Sequence, residues 1–386
     1  MPNYPIDSVS RNLEEILTED ELRQALASVD STHSTSAQGG EKNRTTGSPQ
    51  GKKLKHYIGF EISGKIHLGT GIVVMGKVKD LMDAGIETTI FLADWHTFIN
   101  EKLGGADFET IQRVAVGYFK EGLKTAFQCV GGDPEKLNFV LGSELYAKMP
   151  DYWETVIRVA RETTLSRAKR SVDIMGRVAS EEMPVATLFY PMMQAADIFA
   201  LGVDIAHGGT DQRKAHVIAR DVAPAFGWPK PIALHHHLVQ GLGKPPVWPI
   251  PEGKEREMKI AMKMSKSKPD SAVFIHDSPD EIRAKIKKAF CPPNEIIYNP
   301  MLDWVKHVLF LGGEGELAIK RSAEHGGDLT LNSEELPNVY ASGTIHPEDL
   351  KNAVAERLIE MLEPARKHFA QGPAREALGE LEKLIG

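Results

Sequence analysis

A chain of 386 residues with 46 basic and 53 acidic side chains, formal charge −7, lacks the uniformly basic surface of a non-specific nucleic-acid coat, so any RNA partner must be met by local patches. At 41% hydrophobic and 26% charged, and with no apolar run near the roughly 20 residues of a bilayer span, the composition is that of a globular protein of two or three domains and argues against membrane insertion. Cys129 and Cys291 form neither a disulfide framework nor a C-x-x-C site, and the opening MPNYPIDSVSRNLEEIL lacks the charged-then-apolar order of a secretory signal, so a reducing cytoplasm is the expected compartment.

Residues 8 to 28 read as an amphipathic helical region, with Leu13, Ile16 and Leu17 on one patch, Leu22 and Leu26 on another, and Thr18 and Glu21 at capping-box spacing. From 30 to 53 there is no large apolar residue, which predicts a flexible polar insert. HYIGF (56 to 60) is strand-like, and Val74, Val78, Leu81 and Met82 then carry a helical period that stops at Gly85. TTIFLADWH (88 to 96), NFVLG (138 to 142), VDIAHGG (203 to 209) and PIALHHHLV (231 to 239) repeat the strand, turn and helix pattern, which predicts a parallel sheet covered on both faces and a ligand beyond the carboxyl ends of its strands. After about residue 300 helical segments such as LDWVKHVLFL (302 to 311) and NAVAERLIEMLEPARKHF (352 to 369) predict a helical domain without strands. No internal repeat is evident. His235, His236 and His237 are the one histidine cluster. A strand puts only the first and third on one face, and with no third ligand nearby no metal site is expected.

YIGFEISGKIHLGTG (57 to 71) places His67 and Gly69 where a turn leads into a helix N-terminus, an end that attracts anions. Gly69 removes a side chain where a phosphate or base must approach, and His67 can donate to phosphate oxygens. AMKMSKSKPDSAV (261 to 273) collects lysines on a segment too broken for a stable helix, which suits a loop that closes over polyphosphate and neutralises charge growing in a transition state. Each run alone is commonplace; the pair on an α/β sheet is specific. Asp197, in QAADIFAL, is a carboxylate on an otherwise apolar helix and needs a partner.

HLGT (67 to 70) and KMSKS (263 to 267) resemble the two signatures of class I aminoacyl-tRNA synthetases. YIGFEISGKIHLG, LADWH, YPMMQAADIFALGVD (190 to 204), GGTDQRKAH (208 to 216), KPDSAVFIHDSPDEIRAKIKKAFCP (268 to 292), GGDLTLNS (326 to 333) and HPEDLKNAVAE (346 to 356) narrow the resemblance to the tyrosyl enzymes of archaeal and eukaryotic type. The resemblance implies a Rossmann-type parallel α/β catalytic domain over 54–260, with a helical dimerisation insertion at 145–182. It sets an N-terminal helical segment (1–29) and the polar insert (30–53) before that domain, and a mobile signature loop (261–275) and an all-helical linker and anticodon-binding domain (276–386) after it.

It also implies adenylation: the tyrosine carboxylate attacks the α-phosphate of ATP, supplied with Mg²⁺ as a substrate complex, pyrophosphate leaves, and the terminal ribose of tRNA(Tyr) takes the tyrosyl group. The substrate is the nucleophile, so neither cysteine needs a catalytic role. By resemblance His67, Lys263 and Lys266 are catalytic, and Gly59, Gly69, Thr70, Met264, Ser265 and Ser267 complete the ATP site. Tyr57 and Asp197 match the pair that meets the phenol, Tyr190, Gln194 and Gln212 match the groups at the amino end, and Glu61 and His96 complete the tyrosine pocket. Arg213 and Lys214 look like readers of the first acceptor base pair, His325, His346 and Asp349 fall at positions that meet the anticodon, and Arg283, Lys285, Lys287 and Lys288 form a positive run for phosphates. Thr70 replaces the last histidine of the first signature, and Tyr146 stands where relatives carry a glutamine. The family implies a homodimer and no membrane. The tryptophanyl enzymes share fold and signatures; a nucleotidylyltransferase would lack the anticodon-like domain, and an RNA-binding relative without catalysis would not keep both signatures.

Overall fold

The computed structural model describes residues 6–34, 53–176, 180, 182–254, 258, 261–266 and 269–386. Its chain divides into two compact units. Unit 1 holds residues up to 61, 80–101 and 137–236, and unit 2 holds 62–79, 102–136 and 237–386.

Unit 1 is built on a six-stranded sheet of β1 (Leu13–Leu17), β2 (Lys55–Phe60), β3 (Glu87–Leu92), β4 (Asn138–Leu141), β5 (Ile205–Gly209) and β6 (Ile232–His236). The order is β1-β6-β5-β2-β3-β4, parallel throughout except for β1 against β6. Every residue of β5 and β6 is buried, as expected of strands with apolar cover on both faces. The cover separates along β5: Ile205 packs with Val9, Leu22, Leu26, Leu54 and Leu81, while its neighbour Ala206 packs with Tyr57, Phe91, Val156, Met193 and Val222. Successive strand residues point to opposite faces, so these are the two sides of one sheet.

The α/β expectation and the strands at 56–60, 88–92, 138–141, 205–209 and 232–236 agree with this sheet. The helical reading of residues 8 to 28 holds at both ends, in the helices Ile6–Ser10 and Glu19–Ser34, and fails between them, because Leu13–Leu17 is a strand. The spacing of LEEIL fits either period, and pairing with β6, across a register shift between Leu13 and Glu15, decides it. The capping box is present: the Glu21 N–H donates to Thr18 Oγ1 at 3.2 Å and the Thr18 N–H to Glu21 Oε2 at 3.0 Å, opening the helix Glu19–Ser34. That helix takes in the first residues of the expected polar insert, and 35–52 lie outside the described residues.

Unit 2 packs the π-helical segment Gly69–Val73 and the helix Lys120–Cys129 with a C-terminal set that includes Pro279–Lys287, Pro347–Met361 and Gly372–Ile385. Trp304 and Tyr340 are among its fully buried side chains. The strandless expectation beyond residue 300 is corrected by an antiparallel pair, β7 (Glu316–Ile319) and β8 (Leu329–Asn332). Each strand is only four residues long, too short for its alternation to stand out from the helical periods around it.

Candidate active site

In unit 1 the strand order reverses between β5 and β2, since β3 and β4 continue to one side and β6 to the other. A crevice forms at such a switch point beyond the strand carboxyl ends. Tyr57 lies on β2 and Glu61 just past its end, His96 sits in the short helix Asp94–Ile99 after β3, and Gln212 ends the turn Thr210–Gln212 after β5. The helix Phe189–Ala200 supplies Tyr190, Gln194 and Asp197, which share one face at i, i+4 and i+7.

Asp197 is buried, and its Oδ1 accepts hydrogen bonds from Tyr146 at 2.9 Å and Tyr152 at 2.7 Å, two phenols stacked with centroids 3.8 Å apart. Oδ2 faces His96 Nε2 at 3.6 Å. Burial pushes the Asp197 carboxyl up to about 7 against the two tyrosine hydroxyls, which favour its charge, and nearby Asp94 adds to the rise. Burial pushes the His96 imidazole down to about 3, so it is neutral and makes no ion pair with Asp197 near pH 7. Neither His96 nitrogen has a hydrogen-bond partner among the described residues. Tyr57 is buried in the same cluster and its hydroxyl is raised by burial and by Asp197, but the hydroxyls that bond the carboxylate belong to Tyr146 and Tyr152. The sequence left the partner of Asp197 unnamed; the structure supplies Tyr146 and Tyr152, the latter 45 residues from Asp197 at the start of the helix Tyr152–Arg161.

Among the residues expected at the amino end, the Tyr190 hydroxyl donates to Glu61 Oε1 at 3.4 Å, and Asn100 donates to the same oxygen. Gln194 Nε2 donates to Gln212 Oε1 at 3.3 Å, and Gln212 Nε2 to the Ile174 carbonyl at 3.0 Å. Gln194 Oε1 is buried without a partner among the described residues. The seven residues expected to hold tyrosine thus lie in unit 1, with carboxylate and amide oxygens near the amino-end group and a carboxylate near the phenol-end group. Gly59 is exposed on β2.

The signature residues are in unit 2. Leu68 N–H donates to the Val273 carbonyl at 3.1 Å and Ile275 N–H to Ile66 at 3.0 Å, so the stretch after the lysine loop is zipped onto the first signature. His67 Nδ1 accepts from the Gly69 and Thr70 N–H groups at 3.1 and 3.3 Å, which leaves the proton of the neutral ring on Nε2, 3.3 Å from Thr70 Oγ1. Burial, then the charges of Lys266 and Lys263, push the ring down to about 3. A Cβ at Gly69 would meet the imidazole at 3.1 Å, so only glycine fits without moving His67. Lys266 Nζ donates to Ser63 Oγ at 3.0 Å and lies 5.2 Å from the Phe119 ring centre. Lys263 bridges to Gln240, Met264 is buried, Ser265 is half-buried, and Ser267 lies outside the described residues.

Arg213 donates to Glu15 at 2.8 Å, and Lys214 pairs with Asp173 and with the Arg170 carbonyl at 2.7 Å. His346 caps the helix Pro347–Met361, accepting from Glu348 N–H at 3.2 Å; Asp349 follows in its first turn, and His325 ends the turn Ala323–His325. Arg283 is paired with Glu356 and Lys285 with Asp277, so that part of the positive run is neutralised within the protein.

A family model described as tRNA synthetases class I (W and Y) matches residues 49–363. A tyrosine-tRNA ligase of Thermococcus sibiricus is 51% identical over 381 residues, 95% of each chain. The crystal structure of tyrosyl-tRNA synthetase complexed with L-tyrosine from Pyrococcus horikoshii is similar with a TM-score of 0.88 and 49% identity, covering 98% of this chain and 99% of that one. A tryptophanyl-tRNA synthetase of Aeropyrum pernix shares the fold, with a TM-score of 0.60 at 18% identity over 87% of this chain and 82% of that one.

Proposed function

We propose that this chain, which belongs to the class I tRNA synthetases of the W and Y group, attaches L-tyrosine to tRNA(Tyr) through a tyrosyl adenylate, releasing AMP and pyrophosphate. The observation that carries the choice of tyrosine is Asp197: Oδ1 is taken by two tyrosine hydroxyls, while Oδ2 and the neutral His96 are left to a ligand. A phenol hydroxyl both donates and accepts, so it can serve carboxylate and imidazole together. An indole N–H only donates. Pyrophosphate exchange into ATP is the test: dependence on tyrosine supports the reading, and dependence on tryptophan overturns it.

In the reaction, the pocket aims the tyrosine carboxylate at the α-phosphate, a bond forms there, and the bond to the departing pyrophosphate breaks. Positioning and charge stabilisation supply the acceleration. His67 Nε2–H is assigned to donate to phosphate, Lys263 and Lys266 to neutralise the leaving group, and Gly59, Gly69, Thr70, Met264, Ser265 and Ser267 to ATP binding. ATP arrives as its Mg²⁺ complex. A ribose hydroxyl of the tRNA end then attacks the activated carbonyl and AMP leaves.

Asp197 gives this site a pH signature. Its folded value, about 7, is above the ordinary carboxylate value, so the empty pocket takes up a proton as pH falls through 7 and the accepting carboxylate is lost. His96 stays neutral there, and the hydroxyls of Tyr57, Tyr146 and Tyr152 are shifted upward, away from this range. Tyrosine Kd, measured by equilibrium dialysis, is therefore expected to be flat above about pH 8 and to rise toward about tenfold per unit below 7. A constant Kd from pH 8 to 5.5 would remove Asp197 as the ionised acceptor.

Arg213 and Lys214 are assigned to the tRNA acceptor stem, with Glu15 and Asp173 as the carboxylates that phosphates or base edges displace. His325, His346 and Asp349, in the proposed anticodon-binding region 276–386, are assigned to the anticodon. Arg213→Ala should leave tyrosine-dependent exchange nearly unchanged while lowering kcat/KM for tRNA charging by roughly tenfold or more. Equal loss in both assays would make its pairing with Glu15 structural. We assign homodimerisation to the 145–182 region, where Trp153, Ile157 and Leu165 are exposed apolar side chains. No described helix is long and apolar enough to cross a membrane, and the proposed place of work is the cytoplasm.

A further inference from the structure

We propose that His237, Asp303 and His307 form a binding site for a divalent transition-metal ion of the zinc class, braced against the base of the signature loop. The sequence reading considered His237 only with its neighbours in the His235–His237 run and expected no metal. The three histidines in fact diverge: His235 pairs with Glu15 at 2.8 Å and His216 at 3.0 Å, His236 pairs with His207 at 3.0 Å, and His237 meets a different segment. Asp303 and His307 are four residues apart on the helical stretch formed by Pro300–Trp304 and Val305–Leu309, a spacing that puts them on one face. His237 Nε2 is 2.7 Å from Asp303 Oδ1, and the His237 and His307 rings stack with centroids 3.8 Å apart. One donor atom from each of the three residues lies within 4.8 Å of the others.

Two imidazole nitrogens and a carboxylate oxygen are a three-ligand zinc set that leaves a fourth position for water, whereas Mg²⁺ and Ca²⁺ select all-oxygen sites. His237 and Asp303 are buried and His307 is half-buried, which gives the ion a dry floor and an entrance. A hydrogen bond between His237 and Asp303 alone would need no second imidazole stacked beside it. On binding, the ion takes the place of the proton between His237 Nε2 and Asp303 Oδ1, the imidazole keeps its one proton on Nδ1 and stays neutral, and the two rings fan apart. Bonds of about 2.0–2.1 Å in a tetrahedron require donors only about 3.3 Å apart.

The site reaches the loop through the backbone. Asp303 Oδ2 accepts the Gln240 N–H at 3.0 Å, and the Gln240 carbonyl accepts from Trp304 Nε1 at 2.7 Å. Residues beside Gln240 pair with the start of the lysine loop, Met264 N–H to the Val239 carbonyl at 2.7 Å and Gly241 N–H to Met262 at 2.6 Å. A bound ion would fasten the strip that carries Lys263 to the 300–309 stretch.

The full chain, stripped of metal, is titrated with Zn²⁺ against a chromophoric chelator and with Co²⁺ followed by visible absorption. One tight Zn²⁺ per chain and the absorption of four-coordinate cobalt are expected. His237→Gln and His307→Ala should each weaken Zn²⁺ binding by about 100-fold or more, since a lost ligand costs at least what a lost supporting group does. Circular dichroism of the metal-free proteins checks folding; should His237→Gln fail to fold, the half-exposed His307 carries the test. No tight Zn²⁺ in the wild type overturns the proposal, as does unchanged stoichiometry and affinity in His307→Ala.

Discussion

Replacing Asp197 by alanine is expected to lower kcat/KM for tyrosine in pyrophosphate exchange by roughly 10²- to 10⁴-fold while leaving KM for ATP within about threefold. The range follows from the roughly 2–5 kcal/mol cost of truncating one partner of a buried charged hydrogen bond. The substrate phenol loses its acceptor, and the hydroxyls of Tyr146 and Tyr152, now bonded at 2.9 and 2.7 Å, lose theirs inside the protein. On the proposed assignment Asp197 serves tyrosine and the signature lysines serve ATP, so the loss should fall on one substrate. Asp197→Asn separates the charge from the shape: it keeps the volume, retains an acceptor oxygen for the two tyrosines, and should abolish the pH dependence of tyrosine binding. A parallel collapse of tyrosine and ATP use in the alanine variant, with a lowered thermal midpoint, would show that Asp197 mainly holds the fold.

Lys266→Ala is expected to slow adenylate formation by about 10²- to 10³-fold, the scale of removing one preorganised group that meets transition-state charge. Tyrosine Kd should not change. In the structure its ammonium donates to Ser63 Oγ and lies over the Phe119 ring, and a flexible four-carbon stem lets such a point charge be re-aimed at a phosphate. Rapid-quench measurement of the first turnover isolates this step from product release. A first-turnover rate equal to wild type would remove the lysine from the chemistry. Removing Lys266 also removes one of the charges that depress His67, but burial is the larger cause, so the imidazole stays neutral and the rate change belongs to the lysine.

The strands that build the pocket were legible because β2, β3, β5 and β6 are apolar runs bounded by turns, and tertiary packing only completed what their side chains already required. Leu13–Leu17 was misread because five residues cannot distinguish a period of two from one of 3.6, and the deciding contact is with a strand some two hundred residues away. The assignment of residues to the two ends of a tyrosine pocket rests on resemblance; by residue chemistry alone, Asp197 announces that it needs a partner but not which one. Tyr146 and Tyr152 carry no local mark of that role, since each is an ordinary aromatic on its own short helix. The meeting of His237 with Asp303 and His307 is likewise a property of the folded chain, invisible to spacing.

β1 has a single neighbour in its sheet, β6, and so has nothing to pair with until residue 236 has left the ribosome. Leu13, Ile16 and Leu17 wait as an open edge through the synthesis of everything between β1 and β6. Nascent chains stalled short of that point should be the ones that recruit chaperones, and a variant with a charge at Ile16 should lower the yield of native protein more than it lowers the activity of the molecules that do mature.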